Sequence, residues 1–471
     1  MVSRQVLEQA HLRHPCLTLS AYQYPPTLIM MHLIGTFLIA GSAVASPATF
    51  LQHQRQGLFH EPVLLPLSRR ITQFGNASSP TYKSFYMGNI RVGIAAEVPQ
   101  ELMVFFDTGS GQVILDSTRC SAPACLRHRQ YSPDRPGAVS VNADGLPIRR
   151  GRMDIVTIGL DSHDVDPGMV QGNFVRDMVC LGMERSKGSR AEACAELILV
   201  AATNMTAEPF LQAPFDGIVG LGLEGLSVNG EYNFFGRLWA STGLPPHFAI
   251  FVPPGDQDSR AEIAFGGHNA ARLASPLRWV PVVQPEQGFW QVAIVSIGIG
   301  TEPLEICPAA GCRGIIDSSS SQLGVPAEAL QQLQGSLAAT GVDCDVGPEL
   351  RLTLEGGVVL SLTAKDYARR KGSSCQPQLH PLLDKDRERA GRQWIYNMER
   401  RHGSLKQSSF VLGEPVLRRY YTVFDWETKR VGFGRAASAA PATRAALSTD
   451  EEQPQTEEFI LMQCRSEPHQ P

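Results

Sequence analysis

Two short stretches of the chain end an apolar run with an aspartate and follow it with small hydroxyl residues. The first, residues 104–110, contains Asp107, and the second, residues 314–321, contains Asp317. An aspartate at the apolar end of a strand is costly to ionise, and neighbouring hydroxyls can hold it in one orientation. Such a carboxyl group can accept or donate a proton, so each aspartate is a candidate for acid–base catalysis.

An isolated Asp-Thr-Gly is also typical of an ordinary turn, which is the alternative interpretation of the first stretch. Repetition argues against it, because each stretch is followed later by an apolar run that contains glycine. These later runs are Phe-Asp-Gly-Ile-Val-Gly-Leu at residues 215–221 and Phe-Val-Leu-Gly at residues 410–413. The chain therefore carries one half-site twice, in the same order.

In these stretches the chain resembles the pepsin-like aspartic proteases, whose two lobes each carry an Asp-Thr/Ser-Gly loop and a later hydrophobic-hydrophobic-Gly segment. The resemblance covers about residues 80–436. It implies an all-β, bilobal fold with a cleft between two halves related by a pseudo-twofold axis. It also implies that Asp107 and Asp317 are a catalytic pair that holds one water. Like-charge repulsion would keep one of the two protonated while the other is ionised.

The resemblance also assigns supporting roles to the residues that follow the two aspartates. Thr108 and Ser318 would brace the two loops against each other through hydroxyl-to-backbone hydrogen bonds. Ser110 and Ser320 would hydrogen-bond the outer carboxylate oxygens. Gly109 is the family's glycine in the first loop.

Three positions depart from the family pattern. Ser319 stands where the family has glycine, and its Cβ is expected to cost roughly 1 kcal/mol in a backbone that favours glycine. By alignment on Gly168 and Gly172, the tyrosine of the family's flap hairpin becomes Val165, and its tryptophan partner becomes Ile114. We expect such a flap to close by apolar contact.

The function that these residues favour is endoproteolysis at acidic pH, with an extended peptide or protein substrate bound across the cleft. The alternative is a non-catalytic, pepsin-like peptide-binding protein, in which Ser319 and the altered flap have ended turnover.

Composition sets limits on partners. The chain has 471 residues, 43% of them hydrophobic, and a formal net charge of −4. This length can bury a large core in more than one lobe, and 43 glycines and 33 prolines favour a strand-rich fold. The charge is too small to indicate a nucleic-acid partner. We expect a monomer.

The ten cysteines are informative through their spacing. The family resemblance implies three disulfides, namely Cys120–Cys125, Cys307–Cys312 and Cys344–Cys375. Cys180 and Cys194 flank a polar insertion and are a plausible fourth pair. The alternative is buried, reduced thiols. Metal-ligand spacings such as Cys-x-x-Cys do not occur in the sequence, so we predict no metal and no cofactor.

The N-terminal residues indicate a secretory route. An apolar, uncharged run at residues 28–40 precedes Ala43-Val44-Ala45, which has the form of a signal-peptidase site. Residues 1–45 are therefore predicted to be a signal peptide, with an uncleaved signal anchor as the alternative. Only a retained anchor would give contact with a membrane. Either interpretation places the protein in the secretory pathway, secreted or in an acidic, lysosome-like vesicle.

The rest of the chain divides into four predicted segments. Residues 46–80 resemble the family's basic propeptide, with Arg69-Arg70 as a cleavage pair, although a disordered linker is the alternative. Residues 81–245 form the N-terminal lobe with Asp107, and residues 246–436 form the C-terminal lobe with Asp317. Residues 437–471 are rich in Ala, Pro and Glu and are predicted to be a disordered tail.

Overall fold

A computed structural model describes most of the chain between residues 61 and 437. The described ranges are 61–75, 80–93, 99–148, 153–162, 165–182, 193–254, 261–308, 311–339, 343–371, 374–382 and 408–437. The predicted leader at residues 1–45, residues 46–60 of the predicted propeptide and residues 438–471 of the predicted tail lie outside them.

Strands dominate these ranges. The strands before residue 252 are β1 (Val63–Phe74), β2 (Thr81–Val92), β3 (Gln100–Asp107), β4 (Val113–Leu115), β5 (Val139–Ser140), β6 (Val156–Ser162), β7 (Val165–Leu181), β8 (Cys194–Met205), β9 (Gly217–Gly220) and β10 (His247–Phe251). The later strands are β11 (Ala261–Phe265), β12 (Arg278–Pro281), β13 (Gln291–Ile299), β14 (Glu302–Leu304), β15 (Cys312–Ile316), β16 (Leu323–Pro326), β17 (Leu350–Leu354), β18 (Val359–Leu362), β19 (Ala368–Lys371), β20 (Ser374–Pro377), β21 (Leu379–Leu382), β22 (Ser409–Leu412), β23 (Tyr420–Asp425) and β24 (Arg430–Arg435).

The helices are short and lie between strands. The α-helices of the described residues are α1 (Pro123–Leu126), α2 (Phe234–Thr242), α3 (Ala327–Ala339), α4 (Ala364–Tyr367) and α5 (Glu414–Arg419). Single 3₁₀ turns occur at Glu224–Leu226, Gly230–Tyr232, Ala270–Arg272, Pro285–Gln287 and Glu355–Gly357. Helix α5 begins directly after the second predicted half-site, with Pro415 in its first turn.

The two aspartate stretches share one local topology. Strand β3 pairs in parallel with β9, and β9 pairs in antiparallel fashion with β4. In the second half, β15 pairs in parallel with β22, and β22 pairs in antiparallel fashion with β16. Each later apolar run thus forms a strand between the two strands that flank an aspartate loop. This arrangement places the repeated half-sites in equivalent positions of two sheets.

The two half-sites belong to different sheets. The larger sheet has the strand order β12-β24-β23-β10-β11-β1-β2-β3-β9-β4-β8-β7-β5, with β6 paired to β7. The second sheet has the order β18-β17-β13-β15-β22-β16-β21, with β14 paired to β13, and β19 and β20 pair with each other. Strands β23 and β24 lie late in the sequence but belong to the sheet that carries Asp107.

Strand β1 connects the two parts of the larger sheet. Its first residues, Val63 to Leu67, pair with β11, and its later residues, Ser68 to Phe74, pair with β2. Leu65 is buried in the core. Part of the predicted propeptide, residues 63–74, is therefore an integral strand of this sheet, while the segment boundaries themselves stay predictions.

Aromatic packing supports the strand that carries Asp107. The rings of Phe105 and Phe215 stack with their centroids 5.8 Å apart. The ring of Phe85 makes a T-shaped contact with each of them, at centroid distances of 5.5 Å to Phe105 and 5.4 Å to Phe215. Trp290 is fully buried, and its indole N–H donates to the carbonyl of Leu221 at 2.9 Å. Such packing fixes the strand ends from which the aspartate loops begin.

Four disulfides cross-link the described part of the chain. They join Cys120 to Cys125, Cys180 to Cys194, Cys307 to Cys312, and Cys344 to Cys375. These are the four pairs that the sequence predicts. Disulfides persist in oxidising compartments, which agrees with a secretory route.

Candidate active site

The two aspartates lie at the ends of buried strands. Asp107 is the last residue of β3, and Asp317 directly follows β15. Their exposed fractions are 7% and 5%. The strands therefore place both carboxylates where little solvent reaches them, so that ionisation is costly.

The structure brings the two carboxylates to the same place. A Cβ built on Gly109 would lie 3.1 Å from Asp317 Oδ1 and 3.3 Å from Asp107 Oδ1. One oxygen of each aspartate therefore lies next to Gly109, although the two aspartates are far apart in the chain. A side chain on Gly109 would crowd both carboxylates, which explains glycine at this position.

Hydrogen bonds brace the two loops against each other. The hydroxyl of Thr108 donates to the carbonyl of Ile316 at 2.9 Å, and the hydroxyl of Ser318 donates to the carbonyl of Phe106 at 2.9 Å. Each hydroxyl also accepts a hydrogen bond from the other residue's backbone N–H. The bracing is symmetric and fixes the separation of the loops.

Backbone N–H groups orient the carboxylates in the same way in both loops. Gly109 N–H donates to Asp107 Oδ1 at 2.8 Å, and Ser319 N–H donates to Asp317 Oδ1 at 2.7 Å. The expected backbone strain at Ser319 is wrong. Its φ is not positive, since Gln284 and Lys429 are the non-glycine residues with positive φ in the described ranges. The serine adopts a conformation open to any L-residue.

The two outer serines behave differently from the prediction. Ser320 Oγ donates to the carbonyl of Gln322 at 3.2 Å. The expected bond from this hydroxyl to an outer carboxylate oxygen is therefore replaced by a bond within the turn. Ser110 Oγ lies close enough to lower the pKa of Asp107, although its geometry is not that of a formed hydrogen bond.

The electrostatics around Asp107 favour its protonated form. The pKa of Asp107 is raised to about 6. Burial is the largest cause, and the neighbouring charge of Asp317 is the second. Ser110, the Gly109 N–H and the ammonium group of Lys83 oppose this shift. Asp107 therefore keeps its proton at a higher pH than an exposed carboxyl group does.

Two glycines allow the later apolar runs to approach the aspartate loops. A Cβ on Gly220 would lie 2.6 Å from the carbonyl oxygen of Ser110, and a Cβ on Gly413 would lie 2.3 Å from that of Ser320. Both contacts are with backbone atoms and are too short for any side chain. The glycine of each half-site is thus required by close approach of two backbones.

The hairpin predicted to be a flap is present as β6 and β7. Its strands pair up to Ser162 and Val165, and residues 163–164 between them lie outside the described residues. Val165, at the predicted tyrosine position, is the first residue of β7. Ile114, at the predicted tryptophan position, is 1% exposed and packs in an apolar cluster with Phe105 and Phe215.

Several buried charged residues were not predicted from the sequence. Lys83 on β2 is 3% exposed and acts electrostatically on Asp107. Glu414, the first residue of α5, is 5% exposed, and Asp116 after β4 is 2% exposed. The only signal for Glu414 is its position next to Gly413.

Asp116 and Asp216 form a second group of buried acids. The carboxylate of Asp216 accepts hydrogen bonds from the backbone N–H groups of Met103 at 2.8 Å and Arg129 at 3.0 Å, which is a structural role. The Asp116 N–H donates to the Asp216 carbonyl at 3.1 Å. Burial, followed by the charge of Asp216, raises the pKa of Asp116 to about 8.

The described ranges offer neither a metal-binding cluster nor a membrane-spanning helix. Within the described ranges, no group of three or more His, Cys, Asp or Glu side chains could hold a metal ion. None of the helices in those ranges combines the length and apolar character needed to cross a bilayer.

The repeated aspartate loops, their mutual hydrogen bonds and the strand-rich architecture define an aspartic protease fold. The chain belongs to the eukaryotic aspartyl protease family, whose sequence profile matches residues 85–436. The predicted family and the all-β, bilobal pepsin-like fold are confirmed.

The sequence identity between this chain and individual relatives is low. The chain is 27% identical to cathepsin E of Oryctolagus cuniculus over 376 residues, which cover 74% of this chain and 80% of the relative. It is 29% identical to cathepsin E-B of Xenopus laevis over 369 residues, covering 76% and 80% respectively. It is 26% identical to pepsin II-1 of Oryctolagus cuniculus over 381 residues, covering 77% and 85%.

Proposed function

We propose that this protein is an aspartic endopeptidase that hydrolyses peptide bonds at acidic pH with a water held by Asp107 and Asp317. The observation that carries the proposal is the position of the two Oδ1 atoms around one point, 3.1 and 3.3 Å from a Cβ built on Gly109. Family membership supports the reaction class.

The reaction assigns complementary tasks to the two carboxyl groups. The ionised carboxylate removes a proton from the water, and the protonated carboxyl donates its proton to the carbonyl oxygen of the peptide. The water oxygen bonds to the carbonyl carbon and gives a tetrahedral intermediate. The C–N bond then breaks as the leaving nitrogen receives the proton that the first carboxylate took from the water. Neither a metal nor a covalent nucleophile is required, because the pair supplies both the base and the acid.

The loop hydrogen bonds keep this pair ready for the reaction. The N–H groups of Gly109 and Ser319 each hold one Oδ1, at 2.8 and 2.7 Å. The carboxylates therefore need little reorganisation when charge moves between them. The raised pKa of Asp107, about 6, allows the single-proton state at mildly acidic pH.

The remaining assignments are part of the same proposal. The substrate is an extended peptide or unfolded protein segment, and the protein acts as a monomer in an acidic compartment of the secretory pathway. The four disulfides support that route. Removal of the residues that precede strand β1 would precede activity.

The test is an assay of the acid-treated full chain on an unfolded protein at mildly acidic pH. Asp107→Asn serves as the catalytic control, and a statine-type transition-state mimic serves as the inhibitor. Cleavage that both treatments abolish is the expected result. Asp144→Asn, at an exposed aspartate, is the matched control and should retain full activity.

A second candidate function is peptide binding without turnover, which the replacement of the family glycine by Ser319 favours. Binding of the statine-type mimic without any cleavage would support it. Cleavage that persists in Asp107→Asn would instead exclude the proposed mechanism.

A further inference from the structure

A buried ionic cluster connects strand β1 to the second aspartate loop. Its centre is Glu414 Oε1, which accepts hydrogen bonds from Arg418 Nε at 2.6 Å, Tyr86 Oη at 2.7 Å and Arg69 Nη2 at 3.1 Å. The side chains of Arg69 and Glu414 are 12% and 7% exposed. Contacts between ionised groups at such burial are strong and geometrically specific.

The cluster holds Glu414 ionised. Burial raises the pKa of Glu414, but the guanidinium groups of Arg418 and Arg69 outweigh it, and the pKa lies below its usual value. The contact between Arg418 and Glu414 lies within helix α5. Arg69 and Tyr86 come from β1 and β2, so they attach this helix to the larger sheet.

Arg69 reaches the second aspartate loop by two routes. Its Nη2 also donates to Ser84 Oγ at 3.1 Å. The backbone N–H of Ser84 donates to Ser321 Oγ at 2.9 Å, and the backbone N–H of Glu414 donates to the carbonyl of Ser320 at 2.7 Å. Arg69 Nη2 therefore contacts both Ser84 and Glu414. The backbone N–H groups of these two residues donate to Ser321 and Ser320, which follow Asp317 in the second loop.

We propose that Arg69 is a positioning residue for the Asp317 loop and that strand β1 must therefore stay with the protein in its working form. Removal of the segment before β1 is compatible with this role. Cleavage after the Arg69-Arg70 pair would switch the site off, because it frees the strand that carries the guanidinium. The inference depends on the proposed endopeptidase function.

The position of the dibasic pair in the sheet supports the same conclusion. Arg70 pairs with Phe85 and Ile71 pairs with Ser84, so the bond between them lies inside a paired strand. A protease must open that pairing before it can cut. The working form is therefore expected to begin before Val63.

The first experiment identifies the N-terminus of the active species. The full chain is expressed, acid-treated and fractionated by activity, and the active fraction is analysed by intact mass and N-terminal sequencing. An N-terminus that precedes Val63 is expected. An active species that begins at Ile71 or later would overturn the proposal.

The second experiment compares Arg69→Met with Arg70→Met in the full chain. Arg70 is exposed and provides a matched control. We expect Arg69→Met to lower kcat by between about 10- and 100-fold with little change in KM, since the loop rather than the substrate contacts is displaced. Arg70→Met should match wild type, and Arg69→Lys should recover part of the kcat.

Other outcomes separate this inference from the proposed function. An Arg69→Met protein that melts earlier but keeps its kcat per folded molecule would show a merely structural role and overturn the inference. If wild type cleaves nothing, the endopeptidase proposal fails, and affinity for the statine-type mimic becomes the readout. The inference then predicts that Arg69→Met binds the mimic more weakly than wild type does, and that Arg70→Met binds it as wild type does. If Arg69→Met does not fold, Arg69→Lys is the test variant, and wild-type kcat in that protein would contradict the inference.

Discussion

Thr108 and Ser318 exchange equivalent hydrogen bonds across the site. The N–H of Thr108 donates to Ser318 Oγ at 3.0 Å, and the N–H of Ser318 donates to Thr108 Oγ1 at 3.0 Å. Their equal lengths show that the two loops meet symmetrically although they are 210 residues apart. The separation of Asp107 and Asp317 depends on this pair.

Replacement of Thr108 by valine tests the brace. Valine keeps the shape but leaves the Ser318 N–H buried without its acceptor, so we expect a loss of about 1 to 3 kcal/mol in the free energy of unfolding. We also expect kcat to fall by about tenfold or more, because the aspartates lose their fixed separation. Denaturant unfolding and peptide hydrolysis measure the two effects. Thr118→Val, at an exposed threonine, should change neither.

Titration of Asp107 predicts how activity and stability vary with pH. Its pKa in the folded protein is about 6, raised from 3.8 by burial and by Asp317. A raised carboxyl pKa contributes stability that is fully present below the unfolded value and is lost as pH rises through about 6. Hydrolysis should fall over the same range, because both carboxylates become charged. A pH–rate profile and melting curves at pH values on either side of that range measure this.

The variant Asp107→Asn separates the two effects. It should abolish hydrolysis and reduce the loss of melting temperature between mildly acidic and neutral pH. Asp144→Asn should leave both profiles as in wild type. Equal pH dependence of melting in wild type and Asp107→Asn would contradict the assignment of the titration to this residue.

Replacement of Ser319 by glycine tests whether this serine prevents turnover. The N–H that holds Asp317 Oδ1 belongs to the backbone and survives the change. We expect Ser319→Gly to lower the free energy of unfolding by about 0.5 to 1 kcal/mol, through backbone entropy, and to leave kcat within a few-fold of wild type. Peptide hydrolysis and urea unfolding check this. Activity that appears only in Ser319→Gly would favour the binding-protein alternative for the natural chain.

The sequence revealed those parts of the site that are local. Asp107 and Asp317 each end an apolar run, and the glycines of the later runs follow from close backbone approach, so short patterns sufficed. The pairing of these patterns came from their repetition. The role of Ser320 was not predicted, because its hydroxyl donates within the turn to the carbonyl of Gln322, and the conformation of that turn cannot be predicted from the serine itself.

The ionic parts of the site depend on long-range contacts that no local pattern encodes. Arg69 and Glu414 are 345 residues apart, and Arg69 belongs to a segment whose basic character favoured a propeptide. Lys83 follows no motif, yet β2 brings it close enough to affect Asp107. The strain expected at Ser319 was wrong because the φ of a loop residue depends on the whole turn rather than on its family counterpart.

Asp116 predicts a pH-dependent weakness outside the candidate active site. Burial and the charge of Asp216 raise its pKa from 3.8 to about 8, so its contribution to stability is present below the unfolded value and is lost as pH rises through about 8. Asp116→Asn removes this titration, and we expect its melting temperature to exceed that of wild type by several degrees at pH values near and above 8 and to differ little at acidic pH. Differential scanning calorimetry across this range measures the effect, with Asp144→Asn as the exposed control. A melting temperature of Asp116→Asn that tracks wild type at every pH would contradict the assignment of this titration to Asp116.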